Sequence, residues 1–215
     1  MNVTLVPLDL VLPEPLQPRS VGVHVSSLIR CIATETGILR PEWAEDLSLR
    51  DVRTITDPTV ILRMSLGLAW EEWYLRQLPH VVDHPGEMQV DGIYMTHDGE
   101  SLDLVASERG PSHRILAVHE VKLTYKSTKT VGDLSSQWMW IAQMKAYCKG
   151  LGTMRANLHV LFVCGDYTYP IRPRLGPIEG VQTHWCVDFS QEEIDSNWGL
   201  LLEYKQHRLS QEEGV

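Results

Sequence analysis

Residues 158–164, Leu-His-Val-Leu-Phe-Val-Cys, are apolar at every position but one. A strand of this kind has no face to give to water, so it belongs at the centre of a sheet covered on both sides. Just ahead of it, residues 133–149 carry a helical pattern stopped by Gly150 and Gly152. Ahead of that helix, Ile115 to Tyr125 reads as a strand. Strand, helix and buried strand in this order leave room for a crossover between parallel neighbours. The fold class that follows is α/β, with a central mixed β-sheet flanked by helices.

The other elements are placed around this unit. Residues 1–20 hold four prolines and read as an irregular arm. Residues 23–36 predict a short helix capped at Ser26, and Pro58 opens a longer helical pattern running to Pro79. Met88 to Met95 reads as one strand, Asp98-Gly99 as a hairpin turn and Ser101 to Ala106 as the return strand. With the 115–125 strand these form a meander. Val181 to Phe189 is a fifth strand, and Ser190 with Glu193 forms a capping box for a last helix to about Leu209. The expectation is one domain over residues 1–215. Residues 1–57 form its N-terminal arm and helices, 58–189 its core, and 190–215 its C-terminal helix and acidic tail.

Composition narrows the function classes. The chain is 43% hydrophobic and 22% charged, as globular domains are. It has no run of eighteen apolar residues and no signal-peptide pattern, so a soluble, cytoplasmic protein without a membrane partner is expected. A net charge of −9 disfavours a passive nucleic-acid coat. It leaves room for an enzyme with a local basic patch, and residues 111–130 supply one: Arg114, Lys122, Lys126 and Lys129 against Glu120 alone. Cys31, Cys148, Cys164 and Cys186 form no CxxC pair and are expected to be buried thiols.

Alternate strand residues share a face, so Glu120 and Lys122 point the same way from an apolar strand. Such a pair is costly unless it is paired, exposed or bound to a ligand. Asp91 falls in the middle of the preceding strand pattern, where Asp is a poor strand former. Bringing Asp91 beside Glu120 would make a hard-oxygen site, with a nearby backbone carbonyl, suited to Mg²⁺ or Mn²⁺.

The local strings HPGEMQVDGIYM, LAVHEVKLTYK and IAQMKAYCKG, with Gly67-Leu68-Ala69-Trp70-Glu71 upstream, resemble the PD-(D/E)xK nuclease superfamily. Within it, the pattern is similar to the branch with a Gln-x-x-x-Tyr motif: RecB-type domains, Cas4-like nucleases and phage lambda-type exonucleases. The motifs span residues 67 to 165 in the family's order. The resemblance implies a restriction-endonuclease-like core and a metal-dependent DNA nuclease, more an exonuclease on DNA ends than an endonuclease, in recombination, repair or phage DNA metabolism. It implies Asp91, Glu120 and the backbone carbonyl of Val121 as metal ligands, with Glu71 acting directly or through water. Lys122 would orient the attacking water or offset charge in the transition state. Gln143 and Tyr147, four apart on one helix face, would reach toward the site. Tyr147 also belongs to an apolar stripe, and both roles are compatible.

Lys126 and Lys129 either contact phosphates or sit on a solvated loop. Ser26, Ser27 and Arg30 open the first helix, either holding a DNA phosphate or simply capping it. Trp70, Trp73, Trp138 and Trp140 fall in helical patterns and are expected in the core, and His84 either lines the site or is a loop histidine. The late cysteine group that holds an iron–sulfur cluster in some relatives is missing, and so is a GxxxxGK[ST] loop, so neither a cluster nor ATP use is expected. The lack of both resembles a virus-encoded stand-alone nuclease in a host cytoplasm. DNA is the expected partner, and the branch allows a recombination or single-strand-annealing protein beside it. The alternative is a non-catalytic DNA- or protein-binding module that keeps the fold. The intact set of Glu71, Asp91, Glu120 and Lys122 favours the enzyme.

Overall fold

The structure is a computed structural model that describes residues 20–40, 58–107, 110–126, 131, 133–163 and 182–213. Its helices are α1 (Val25–Glu35), α2 (Pro58–Leu75), α3 (Trp138–Leu151) and α4 (Gln191–Glu213). Its strands are β1 (Val81–Asp83), β2 (Glu87–Val90), β3 (Ile93–Thr96), β4 (Gly99–Ser107), β5 (Gly110–Thr124), β6 (Arg155–Phe162) and β7 (Gln182–Asp188). Five strands form one sheet in the order β1-β4-β5-β6-β7, and β2 with β3 form a separate hairpin.

The unit that fixed the fold class is present. β5 and β6 are parallel neighbours with α3 between them in the chain, and every other pair in the sheet is antiparallel. Alternate β6 residues Leu158, Val160 and Phe162 are fully buried, as a central strand requires. They meet Leu28, Ile29 and Ile32 of α1, Met144 and Cys148 of α3, and Ile194, Trp198 and Leu201 of α4 in one core. The last three recur at helical spacing and give α4 its buried stripe.

The caps follow sequence chemistry in part. Ser190 and Glu193 form the expected capping box: Glu193 N donates to Ser190 Oγ at 3.2 Å, and Ser190 N to Glu193 Oε2 at 2.9 Å. Gly152 closes α3 at φ 65°. At α1 the cap is His24, not Ser26, and no side chain bonds the helix start. Its ring is held instead by the Ser20 carbonyl at 2.8 Å.

The expected meander is corrected. Met88 to Met95 is not one strand, because the chain reverses at Asp91 (φ 49°) and Gly92 (φ 70°). Two consecutive positive φ values are the signature of a type I′ hairpin, and Asp-Gly is a favoured sequence for it. The hairpin pairs Val90 with Ile93 and Glu87 with Thr96, and it leaves the main sheet. The sheet edge goes to β1, which pairs Asp83 with Gly99 and has no strong pattern of its own. Asp98-Gly99 is not a hairpin turn but the link from the hairpin into the main sheet.

Gly150 lets α3 lie against the hairpin, since a Cβ there would stand 2.6 Å from Met95 Sδ and 2.8 Å from Met88 Sδ. Two other expectations change. Cys31 and Cys148 are buried, but Cys186 is exposed because β7 is an edge strand whose alternate residues face outward. Cys164 lies outside the described residues. Trp70, Trp138 and Trp140 are partly buried, whereas Trp73 is 55% exposed on the outer face of α2. No described helix is long and apolar enough to cross a membrane.

Candidate active site

β4 begins at Gly99, opposite His119 of β5. Beyond that point β5 has no β4 partner on this side. Asp98 fills the gap: its Oδ2 accepts the N–H of Val121 at 2.7 Å. The open edge also admits Glu71 from α2, which lines the same cavity as Asp98. Glu120 and Lys122 project from β5 on one face, as alternation requires, and form an ion pair. The Lys122 ammonium donates to Gln143 Oε1 at 3.2 Å, and Gln143 Nε2 donates to the Tyr147 hydroxyl at 2.7 Å. Gln143 and Tyr147 share one face of α3, and the Tyr147 ring is buried in the core while its hydroxyl serves this relay.

These groups line a cavity of about 190 Å³ together with His24, Val25 and Ser26 at the start of α1 and Tyr94 to Thr96 of β3. That is room for a hydrated cation and a few waters, each taking about 30 Å³.

The electrostatics are unusual. Burial, then the neighbouring Asp98 charge, pushes Glu120 up to about 8 against the pull of Lys122. Burial, then Glu71, pushes Asp98 up to about 7. Burial, then Glu120, pushes Glu71 up to about 7. Burial pulls Lys122 down, but the charges of Glu120 and Asp98 outweigh it and hold the ammonium above its ordinary value. Three carboxyl groups are thus crowded in a dry place with one cation among them.

The residues fit a divalent metal. Glu120 is fully buried, and its Oε2 has no hydrogen-bond partner. A hard cation would satisfy that oxygen and reverse the repulsion that raises all three carboxyls. Among the described residues, no three His, Cys, Asp or Glu side chains already close round one point as a finished cage. The Lys122 ammonium is the positive charge against Glu120 instead.

Of the residues expected from sequence, Glu71, Glu120, Val121, Lys122, Gln143 and Tyr147 come together here. Asp91 does not. It is exposed at the tip of the β2–β3 hairpin, where its Oδ2 accepts from Trp198 Nε1 at 2.8 Å and its carbonyl from Lys205 Nζ at 2.7 Å. The hairpin turn and the α4 contact explain a mid-pattern Asp, and Asp98 occupies the place expected of it. The signal was available: EMQV and IYMT are equal runs of four flanking Asp-Gly, a complete two-residue hairpin. Glu72 turns outward and pairs with Arg76 at 2.5 Å. Lys126 is exposed, donates to Gln137 at 3.2 Å and lies 5.8 Å over the Trp140 ring. Lys129 lies outside the described residues. On α1, Ser26 rather than Ser27 lines the cavity, and Arg30 is exposed.

No protein-family model matches the chain, and no curated protein matches it in sequence. Solved structures do resemble it. An alkaline exonuclease (LHK-Exo) from Laribacter hongkongensis superposes with a TM-score of 0.54 over 89% of this chain and 90% of its own, at 11% identity. A phage-related exonuclease from Haemophilus somnus 129PT gives a TM-score of 0.46 over 89% of this chain and 96% of its own, at 12% identity. At such identities the likeness to LHK-Exo is one of fold: a mixed sheet flanked by helices.

Proposed function

We propose that the chain is a metal-dependent DNA nuclease that hydrolyses phosphodiester bonds, working as an exonuclease on DNA ends. The observation that carries the reading is the Glu120–Lys122 pair, its carboxyl fully buried, with Asp98 and Glu71 crowded against it. A structural pair has no need of two further, partly buried acids, which destabilise it. A site that holds a divalent cation does need them. The exonuclease fold of the LHK-Exo neighbour supports the same reading.

Asp98, Glu120 and the Val121 carbonyl would hold Mg²⁺ or Mn²⁺, with Glu71 beside them directly or through water. The metal, when bound, supplies Lewis-acid polarisation of the phosphate and an acidified water. The chain's own residues do the rest. Lys122 is held from one side by Glu120 and from the other by Gln143, so its ammonium is fixed at the cavity. There it offsets charge on the phosphate or orients the attacking water. Gln143 is fixed in turn by the Tyr147 hydroxyl. The start of α1 forms part of the cavity wall. Lys126, just past the end of β5, would meet the DNA backbone as it leaves the site.

The test is a time course on end-labelled linear and on circular DNA. Mg²⁺ or Mn²⁺ should support loss of the end label with circles spared, and EDTA should abolish it. DNA binding without cleavage in either metal would favour the non-catalytic module. Cleavage of circles would keep the nuclease and remove the preference for ends.

A further inference from the structure

His84 follows β1 and precedes Pro85-Gly86. Its backbone stands at φ 46°, in the left-handed region that a side chain such as histidine enters only at a cost. His80 and Asp91 share this feature, and Asp91 is explained by its I′ turn. His84 has a different setting. Its N–H donates to the Asp98 carbonyl at 2.9 Å, carrying the β1–β4 ladder one step past Asp83 and Gly99. Its Nδ1 stands 3.4 Å from Glu71 Oε1, with both side chains largely buried. One residue therefore touches Asp98 through its main chain and Glu71 through its side chain. Those two acids come from different elements, the β3–β4 link and α2.

A turn alone would be better served by Gly or Asn, which enter this region at lower cost. What the imidazole adds is the contact with Glu71. Its other nitrogen, Nε2, is buried without a hydrogen-bond partner, a cost that the contact must offset. We propose that His84 is a positioning residue: it sets the spacing of Glu71 and Asp98, and so how tightly the acidic cluster holds a divalent cation. The inference rests on the metal-dependent reading above.

Two variants separate the imidazole from the turn. His84→Gly frees the backbone and removes the ring. His84→Asn tolerates the left-handed conformation and places an amide N–H near the position of Nδ1. Mn²⁺ binding to the DNA-free protein is followed by electron paramagnetic resonance, beside thermal melting in EDTA and single-turnover cleavage against Mg²⁺ concentration. The Gly variant should melt no lower than wild type and bind Mn²⁺ about ten- to a hundred-fold more weakly, the range for loss of a group that orients a ligand. Its cleavage should need correspondingly more Mg²⁺. The Asn variant should recover most of the affinity. A Gly variant with wild-type affinity, an Asn variant as weak as Gly, or a Gly variant that unfolds overturns the positioning role and leaves the nuclease reading standing. A wild-type protein that binds no Mn²⁺ at millimolar concentration overturns the metal reading, and this inference with it.

Discussion

Asp98 Oδ2 accepts the backbone N–H of Val121 at 2.7 Å, just ahead of the first residue of β4, where β5 runs on past its neighbour. The carboxylate stands in for a missing strand partner. This fixes it beside Glu120 and Lys122 without placing it in a regular strand. An acid can therefore be built into the sheet at a site where regular pairing would leave no room for one.

Lys122 and Lys126 should separate chemistry from binding. Lys122→Ala should bind DNA in Ca²⁺ but cut about a hundred- to a thousand-fold more slowly in a single turnover, as loss of one aimed charge does. Glu120, relieved of its partner, can take up a proton, since burial already favours that form. Lys126→Ala should weaken binding and lower its salt dependence by about one ion, with turnover at saturation nearly intact. A Lys122→Ala protein that cuts at the wild-type rate contradicts the assigned role.

Stability without metal should fall as pH rises. Glu71, Asp98 and Glu120 have folded values near 7, 7 and 8, above their ordinary 4.5, 3.8 and 4.5. A carboxyl raised on folding stabilises the fold fully below its unfolded value and loses that contribution as pH rises through the folded value. Thermal melting in EDTA should therefore drop between pH 5 and pH 8. Glu120→Gln should flatten that drop, and added Mg²⁺ should reverse it at pH 8. A Glu120→Gln protein with the wild-type slope contradicts the buried-carboxyl account.

Tyr147→Phe keeps the ring in the core and removes the hydroxyl that accepts from Gln143 Nε2. The lost bond is worth about 1 kcal/mol, so cleavage should fall several-fold with little change in melting temperature. Gln143→Ala releases Lys122 directly and should cost more. If Tyr147→Phe slows cleavage more than Gln143→Ala, the relay does not run from Tyr147 through Gln143 to Lys122.

Much of the fold was legible because its signals are local. The two-faced apolar run of β6, the glycine stop of α3 and the Ser190–Glu193 box each need only a few neighbouring residues. The grouping of Glu71, Glu120, Lys122, Gln143 and Tyr147 was legible from spacing on strand and helix faces together with a family resemblance. Asp98 was not, because the sequence holds two Asp-Gly pairs seven residues apart. Each is a hairpin signal by the same rule. The equal flanking runs mark Asp91-Gly92 as the hairpin, but placing Asp98 also needs the start of β4, which is paired with the three-residue edge strand β1. Strands this short carry almost no periodic signal. The exposure of Cys186 and Trp73 was hidden for the same reason: it depends on which strand is the edge and which helix face is left uncovered.

The central claim is that Asp98, and not Asp91, completes the acidic site. Asp98→Asn and Asp91→Asn are a matched pair, since each removes one charge with almost no change of volume. At position 91, Asn also tolerates the left-handed turn and still accepts from Trp198. The deciding measurement is the single-turnover rate of both variants on linear DNA in saturating Mg²⁺, with both shown to be folded by circular dichroism. Asp98→Asn should lose at least about a hundred-fold, and Asp91→Asn should cut within about two-fold of wild type. The reverse order, with Asp91→Asn inactive and Asp98→Asn active, would contradict the site described here.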